Sequence, residues 1–361
     1  MNNDLKLTDV IALNLQNFGI KNAFGVQGGA VVHIFDSLER LTDIKVCYNH
    51  HEQASSLAAV SNSKIKNNIG VCIVTTGPAT TNALTGLLSA WQDSIPVLFI
   101  SGQTRKEQTS YGKNVRQRGS QECNILDVIK PWTKAQYFID SDSDIDSIMK
   151  EALLIASQPR RGPVWIDIPV NLQWSKYELK ENWIQNNSER VIVNNEEIDQ
   201  LISSFIEKLN SSQKPLFVLG RQVCSDKILD QFLSFINVNS IPVVTTWGSA
   251  GLVGTKANHI GIIGVSGQQA ANFAVRASDL VVFVGCHFSA TQAGNNYTKI
   301  SQSQKFFYVN IDDAELNELF VKNNHSKILS NASYFLEKIS SFNKIKNKFF
   351  TKWTNLLSEV S

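Results

Sequence analysis

Glu52 lies in one of three polar loops that each follow an apolar, strand-like run and precede a helical pattern. The three loops are residues 25–29, 49–53 and 75–82. In open parallel sheets the carboxyl ends of the strands carry the ligand sites, and backbone amides at the start of a helix bind anions. We therefore expect the three loops to form a polar cradle on one edge of a sheet, with Glu52 as its candidate acid–base group.

Each loop by itself has a simpler interpretation. Glu52 could be a helix-start residue stabilised by the helix dipole, and Gly77-Pro78 could be an ordinary turn. Residues 25–29 do not contain a G-x-G-x-x-G pattern, so they give little support to a dinucleotide site. No group of His, Asp and Glu residues has the spacing of a metal site. Only the joint order of the loops along the chain is specific.

The elements that must position these loops alternate between strand and helix. Apolar runs of strand length occur at 23–26, 44–48, 70–75, 96–101 and 163–168. Such runs, separated by helical patterns, are typical of a parallel sheet that is buried on both faces. A second alternating series follows a polar, Asn-rich stretch, with strand-length runs at 215–219, 242–245, 279–285 and 306–311. The sequence therefore predicts an α/β protein with two doubly wound parallel-sheet domains.

The same pattern predicts the domain boundaries. We expect a first domain at residues 1–171, a linker at 172–195, a central α/β domain at 196–330 and a C-terminal helical segment at 331–361. The length of 361 residues agrees with two domains of about 150 residues each.

Composition argues against several classes of function. The net charge of +2 is too small to indicate a nucleic-acid partner, and no apolar run approaches the roughly 20 residues of a membrane helix. The first four residues lack the basic and apolar regions of an export signal. The five cysteines are odd in number and include no C-x-x-C pair. We therefore expect a cytoplasmic protein with reduced thiols.

Seven motifs occur in the first domain in the order of the pyrimidine-binding domain of thiamine-diphosphate enzymes. Three of them are Phe24-Gly25-Val26-Gln27-Gly28-Gly29, His51-Glu52-Gln53-Ala54 and Thr76-Gly77-Pro78-Ala79-Thr80-Thr81-Asn82; the others are residues 93–102, 121–122, 130–134 and 161–169. The chain resembles in particular the large subunit of acetolactate synthase, over essentially its whole length. The second domain is similar to the central domain of that family at residues 261–264, 271–272, 278–280 and 310–312.

The resemblance implies that the first domain, residues 1–171, binds the pyrimidine end of thiamine diphosphate. In this family a buried glutamate hydrogen-bonds N1′ of the aminopyrimidine and so promotes loss of the thiazolium proton. Glu52 stands at that position, where burial would let a carboxylate share a proton near neutral pH. The resemblance implies cofactor-binding roles for Gly28, Gly29, Glu52, Gly77, Pro78, Asn82 and Gln121.

Several positions depart from the family pattern or allow another interpretation. Gln27 stands where the family often has proline, and Ala79 replaces the second glycine of a Gly-Pro-Gly turn. Ser120 replaces an aromatic residue, which could widen or polarise the substrate side of the pocket. Asn82 could instead be a helix cap, and Gln121 a solvated loop residue.

The third domain of the family carries a Gly-Asp-Gly motif and a following Asn that hold the metal at the cofactor's diphosphate. No Gly-Asp-Gly occurs in these 361 residues. We therefore expect Mg²⁺ to be bound by a missing domain, because the chain is truncated, comes from a broken reading frame, or is one half of a split enzyme. Without that domain we expect these residues to be inactive.

The central domain of acetolactate synthase binds FAD, and relatives bind another nucleotide or none. Gly220-Arg221 and Asn310-Ile311-Asp312 are compatible with a nucleotide, of which FAD is one candidate. His287-Phe288-Ser289 stands where many FAD-binding relatives have Arg-Phe-Asp.

The activity implied by the resemblance is decarboxylation of a 2-keto acid followed by carboligation. Pyruvate giving acetolactate is the default, and the polar loop 116–121 leaves a larger acceptor such as a keto sugar open. The resemblance also implies a homo-oligomer, at least a dimer, and allows a separate diphosphate-domain chain as partner. The alternative is a non-catalytic nucleotide- or partner-binding α/β scaffold derived from the family.

Overall fold

The computed structural model describes residues 5–177, 196–223, 227–254, 258–287, 304–318, 325–342, 345 and 350–360. Contacts between Cα atoms divide the chain into two compact units, residues 1–191 and 192–361. The linker expected at 172–195 lies outside the described residues from position 178 onward.

The first unit contains a six-stranded parallel sheet in the order β3-β2-β4-β5-β7-β6 and an antiparallel ribbon of β1 and β8. The strands are β1 (Leu5–Lys6), β2 (Asn22–Gly25), β3 (Lys45–Tyr48), β4 (Gly70–Val74), β5 (Val97–Gln103), β6 (Ala135–Phe138), β7 (Val164–Pro169) and β8 (Lys176–Tyr177). The helices are α1 (Leu7–Asn17), α2 (Val32–Leu41), α3 (Glu52–Lys66), α4 (Pro78–Asn82), α5 (Leu84–Gln92), α6 (Ile125–Ile129), α7 (Ile145–Ser157) and α8 (Val170–Gln173).

Successive residues of each central strand face opposite sides of this sheet. Val71 and Ile73 of β4 pack in a hydrophobic cluster with α1, α2 and α7, whereas Cys72 and Val74 pack in a second cluster with α3, α5 and α6. In the second cluster the rings of Phe99 and Trp165 stack with their centroids 4.9 Å apart. Helices therefore cover both faces of the sheet, as the continuous apolar strands predict.

The second unit contains another six-stranded parallel sheet, in the order β11-β10-β9-β12-β13-β14. Its strands are β9 (Pro215–Leu219), β10 (Val243–Thr245), β11 (His259–Ile262), β12 (Leu280–Val284), β13 (Lys305–Asn310) and β14 (His325–Leu329). Its helices are α9 (Glu196–Ser211), α10 (Lys227–Val238), α11 (Gln269–Ala277), α12 (Asp313–Glu318), α13 (Ala332–Ser340) and α14 (Phe350–Val360). Phe217 and Val218 of β9 belong to clusters on opposite faces, so this sheet is also doubly wound.

The predicted fold class, two doubly wound parallel-sheet α/β domains, is confirmed. Three strands of the two large sheets are absent from the prediction: β6, β11 and β14. Each lies at the edge of its sheet and has one neighbouring strand. Such a strand is only half covered, so its sequence need not be a continuous apolar run. No helix in the described part of the chain is long and apolar enough to cross a membrane.

Candidate functional site

The strand order brings two of the expected cradle loops into contact at one edge of the first sheet. β2 lies between β3 and β4, so the chain winds outward from this point in both directions, and such switch points bind ligands in α/β sheets. A Cβ atom at Gly28 would lie 2.6 Å from Cβ of Thr75. The backbone amide of Ala30 donates to Oγ1 of Thr75 at 3.3 Å. Gly28 is therefore required by close packing, whereas Gly29 is exposed and has open space around it.

Glu52 is the first residue of α3, directly after the loop that follows β3. His51 is the N-cap, and its Nδ1 accepts a hydrogen bond from the backbone amide of Gln53 at 3.1 Å. The Glu52 side chain is half-buried, and its Oε2 accepts a hydrogen bond from Nδ2 of Asn82 at 2.9 Å. Within the described ranges no group hydrogen-bonds the other oxygen, Oε1. Asn82 thus orients one oxygen of the carboxylate, and the other has no hydrogen-bond partner among the described residues.

Asn82 does not cap a helix, so that alternative interpretation is wrong. It is the last residue of α4, whose N-cap is Gly77, and α5 begins after Ala83. Neither helix has a side-chain hydrogen bond at its N-cap. The Asn82 amide instead reaches across to Glu52 on α3, thirty positions earlier in the chain.

Gly77 and Gln121 lie directly against each other. Gly77 has a φ of 69°, and a Cβ atom there would lie 2.2 Å from the carbonyl oxygen of Gln121, so only glycine fits. Gln121 itself has a φ of 57°, its side chain is exposed, and its carbonyl accepts from Oγ1 of Thr76 at 3.2 Å. Pro78 is the first residue of α4, where its fixed φ suits the helix and no amide hydrogen is needed.

The loop that carries Gln121 is held in shape by its neighbour Glu122. The Glu122 carboxylate accepts hydrogen bonds from the backbone amides of Arg118 at 2.8 Å, Gly119 at 3.3 Å and Ser110. Partial burial raises the pKa of Glu122, but these hydrogen bonds outweigh it and hold the pKa below its usual range. Glu122 is therefore an ionised anchor for the loop at neutral pH.

Asp167 of β7 and Gln103 of β5 are the site-adjacent residues to which the sequence analysis gave no role. Asp167 is fully buried and accepts hydrogen bonds from Ser101 Oγ at 2.6 Å, Gln103 Nε2 at 3.1 Å and Tyr111 Oη at 3.3 Å. Burial raises the pKa of Asp167 to about 7, although these hydrogen bonds act in the opposite direction. The available signal was an aspartate inside an otherwise apolar strand, Val164–Pro169.

The described residues at this edge of the first sheet support neither a cysteine nucleophile nor a metal site. Cys72 on β4 is buried, and burial together with the negative charge of Glu52 raises the pKa of its thiol far above the usual range. A protonated thiol is a poor nucleophile. Across the described ranges, no three His, Cys, Asp or Glu side chains converge as they would around a metal ion.

Two family models match the chain. The model for the thiamine pyrophosphate enzyme N-terminal TPP binding domain matches residues 5–128, and the model for the thiamine pyrophosphate enzyme central domain matches residues 202–339. Together the two matches cover more than two thirds of the chain.

Curated relatives of the chain include several acetolactate synthase large subunits. The protein of Lactococcus lactis is 29% identical over 344 residues, which are 95% of this chain and 58% of the relative. The protein of Haemophilus influenzae is 30% identical over 86% of this chain and 53% of the relative. The acetolactate synthase isozyme 2 large subunit of Escherichia coli is 31% identical over 83% of this chain and 53% of the relative. The chain thus spans little more than half the length of these relatives. By its two domains it belongs to the thiamine pyrophosphate enzymes, in the acetolactate synthase-like branch.

Proposed function

We propose that these residues form the pyrimidine-binding and central domains of an enzyme that decarboxylates a 2-keto acid and transfers the acyl unit to a carbonyl acceptor. Pyruvate is the default substrate, and a keto sugar is the alternative acceptor. Glu52 is the proposed catalytic residue. The proposed cofactor contacts are Gly28, Gly29, Glu52, Gly77, Pro78, Asn82 and Gln121. The observation that carries the proposal is the hydrogen bond from Asn82 to Glu52 beside a topological switch point.

The residues at this edge fit the pyrimidine end of thiamine diphosphate. Oε1 of Glu52 can accept a proton from a ring nitrogen, while Asn82 holds Oε2 in place. When bound, thiamine diphosphate would supply a nucleophilic carbon and a cationic ring that acts as the electron sink for decarboxylation. Glu52 would hold and release the proton that this chemistry requires.

We further propose that the diphosphate and its Mg²⁺ are bound by a segment outside these 361 residues, on the same polypeptide or on a separate chain. The relatives are longer than this chain, and the sequence contains no Gly-Asp-Gly. The 361 residues alone should then bind thiamine diphosphate weakly and turn over no substrate. Titration calorimetry with Mg²⁺ tests this, and micromolar affinity would contradict it.

A homo-oligomer, at least a dimer, is part of the same proposal. Leu57 of α3 and Trp91 of α5 are large apolar side chains, each 38% exposed, in the two helices on either side of Asn82. A partner surface would cover them. Sedimentation of a monomer at about tens of micromolar would count against an obligate dimer.

FAD is the proposed nucleotide of the second unit. The switch point of that sheet lies between β9 and β12. At this edge the amide of Asn310 donates to the carbonyl of Cys286 at 3.0 Å and accepts from the backbone amide of Asp312 at 3.0 Å. Phe288 and Ser289 lie outside the described residues. Co-purified flavin absorbance, or binding of added FAD, would support this assignment, and FAD that fails to bind would remove it.

Reduced cysteines and a cytoplasmic location complete the proposal. The four described cysteines, Cys47, Cys72, Cys123 and Cys286, form no disulfide. The cytoplasm keeps such thiols reduced.

The decisive experiment joins these residues to a diphosphate-binding segment, by fusion or co-expression. Release of CO₂ and formation of acetolactate from pyruvate, both dependent on thiamine diphosphate and Mg²⁺, are the expected results. If the complete preparation binds no thiamine diphosphate, the non-catalytic scaffold is the better interpretation. Binding of a nucleotide to the second unit without turnover would then characterise that scaffold.

A further inference from the structure

The side-chain amide of Gln103, the last residue of β5, has a partner at every hydrogen-bonding position. It is 1% exposed. Its Oε1 accepts hydrogen bonds from Oγ1 of Thr76 and from the backbone amide of Thr104, each at 2.9 Å. Its Nε2 donates to the carbonyl of Cys123 at 2.9 Å and to Oδ2 of Asp167 at 3.1 Å. An amide of this kind has two donors and two acceptor positions, so every one is occupied.

Three of these bonds, those to Thr76, Cys123 and Asp167, reach segments that are distant in sequence. Thr76 precedes the Gly77-Pro78 turn, and Cys123 follows Gln121 by two residues. The single hydroxyl proton of Thr76 is shared between Oε1 of Gln103 and the carbonyl of Gln121, which lies 3.2 Å from Oγ1. One buried side chain therefore connects the β4–α4 turn (residues 75–78) with the Gln121 loop (residues 118–123).

The orientation of the Gln103 amide is fixed by its neighbours. The backbone amide of Thr104 can only donate, and the carbonyl of Cys123 can only accept, so Oε1 must face the first and Nε2 the second. Asp167 adds an acceptor on the Nε2 side. Asp167 is itself fixed by Ser101, whose hydroxyl accepts from Nε1 of Trp165 at 2.8 Å. The chain of bonds thus runs from the core of the sheet to its ligand-binding edge.

We propose that Gln103, held by Asp167, is a positioning residue that sets the β4–α4 turn against the Gln121 loop. Because its side chain is 1% exposed, Gln103 would act through these two segments and not by direct contact with the cofactor. The inference rests on the proposed function only in calling these two segments part of a thiamine diphosphate pocket. Gly77 packs so closely against the Gln121 carbonyl that a Cβ atom would not fit between them. The turn and the loop must therefore be held in a fixed relative position, and Gln103 provides the hydrogen bonds that hold them.

The test is hydrogen exchange of the full 361-residue chain, followed by mass spectrometry. Gln103→Met keeps the length of the side chain and removes all four bonds. Amides of the β4–α4 turn, Thr104 and the Gln121 loop should exchange about tenfold faster, the change expected when one hydrogen bond of local stability is lost. Amides in the middle of β5 should exchange as in the wild type. Thr76→Val, an isosteric change, should accelerate the same two segments and guards against misfolding of the first variant.

Ser63→Ala is the matched control. Ser63 is a buried residue of the same unit, and its hydroxyl contacts the carbonyls of Asn68 and Pro96, outside the Gln103 network. We expect a loss of stability without selective exchange of the turn and loop. If Ser63→Ala accelerates these segments as much as Gln103→Met does, or if Gln103→Met and Thr76→Val both leave them unchanged, the positioning role is wrong.

A second readout separates this inference from the proposed function. In the complete enzyme, Gln103→Met should raise the Kd of thiamine diphosphate and leave the exchange of the second unit unchanged. If the exchange results hold but the wild-type enzyme binds no thiamine diphosphate, the positioning role stands and the proposed function fails.

Discussion

Replacing Asp167 by asparagine should remove a pH dependence from the stability of the first unit. Burial raises the pKa of Asp167 from the 3.8 of a solvated aspartate to about 7. Between these two values the folded chain holds a proton that the unfolded chain has released, so the free energy of unfolding falls as the pH rises. Asparagine has no such proton, and its oxygen can still accept a hydrogen bond from Gln103.

The size of the effect follows from the two pKa values. Each pH unit between them is worth about 1.4 kcal/mol, so the wild type should lose about 2.5 kcal/mol relative to Asp167→Asn between about pH 5 and pH 8. Tyr111 and Cys123 are the titratable neighbours of Asp167. Burial, reinforced by the charge of Asp167, raises the pKa of both, so both stay neutral across this range. Every other titrating group is common to the two proteins and cancels in the difference.

Urea unfolding at several pH values measures this difference. Tryptophan fluorescence reports the first unit when Trp247 and Trp353 of the second unit are replaced by phenylalanine in every protein compared. Trp165 of the first unit is fully buried and stacks on Phe99. Asp93→Asn, at an exposed position after α5, is the control and should run parallel to the wild type. A stability difference between wild type and Asp167→Asn that stays constant with pH would refute the assigned ionisation.

Three further changes test the site and the core. In the complete enzyme Glu52→Gln should lower kcat about 10²–10⁴-fold with little change in cofactor affinity, and Glu107→Gln should leave kcat unchanged; near-full activity would make Glu52 only a helix-start residue. Gly77→Ala places alanine at a positive φ and in a clash with the Gln121 carbonyl, so it should destabilise the first unit by about 1–3 kcal/mol. It should also weaken thiamine diphosphate binding by the complete enzyme in calorimetry, and an unchanged Kd would contradict the close fit. Phe99→Ala deletes a fully buried ring and should cost about 3–5 kcal/mol in urea unfolding, a loss well above that of an exposed substitution.

The sequence predicts central strands of this fold better than edge strands. β4 and β9 have two neighbours and helices on both faces, so every residue is buried and the strand is apolar throughout. β6 is half-buried along its whole length, and its residues Ala135–Phe138 carry no distinctive pattern. The energetic reason is that an edge strand can leave polar side chains in water without cost.

The order of the polar loops was readable in the sequence, but their contacts were not. Each loop follows a strand, so its place at the carboxyl edge follows from topology. That Asn82 bonds Glu52 depends on how α4 and α5 turn relative to α3, which residue types do not specify. The close approach of Gly77 to Gln121 likewise depends on a loop whose path is set by Glu122.

The buried polar pair of Gln103 and Asp167 shows where such prediction ends. A polar side chain inside an apolar strand must find a hydrogen-bond partner, because an unpaired buried group is costly. The sequence therefore requires a partner for Asp167 but does not name it. Two of its three partners, Ser101 and Gln103, lie on β5, where Ser101 is paired in register with Asp167, although β6 intervenes along the chain. Only the strand order, with β7 inserted between β5 and β6, identifies them, and this is why a residue that can be recognised as buried and polar acquires its role only in the folded sheet.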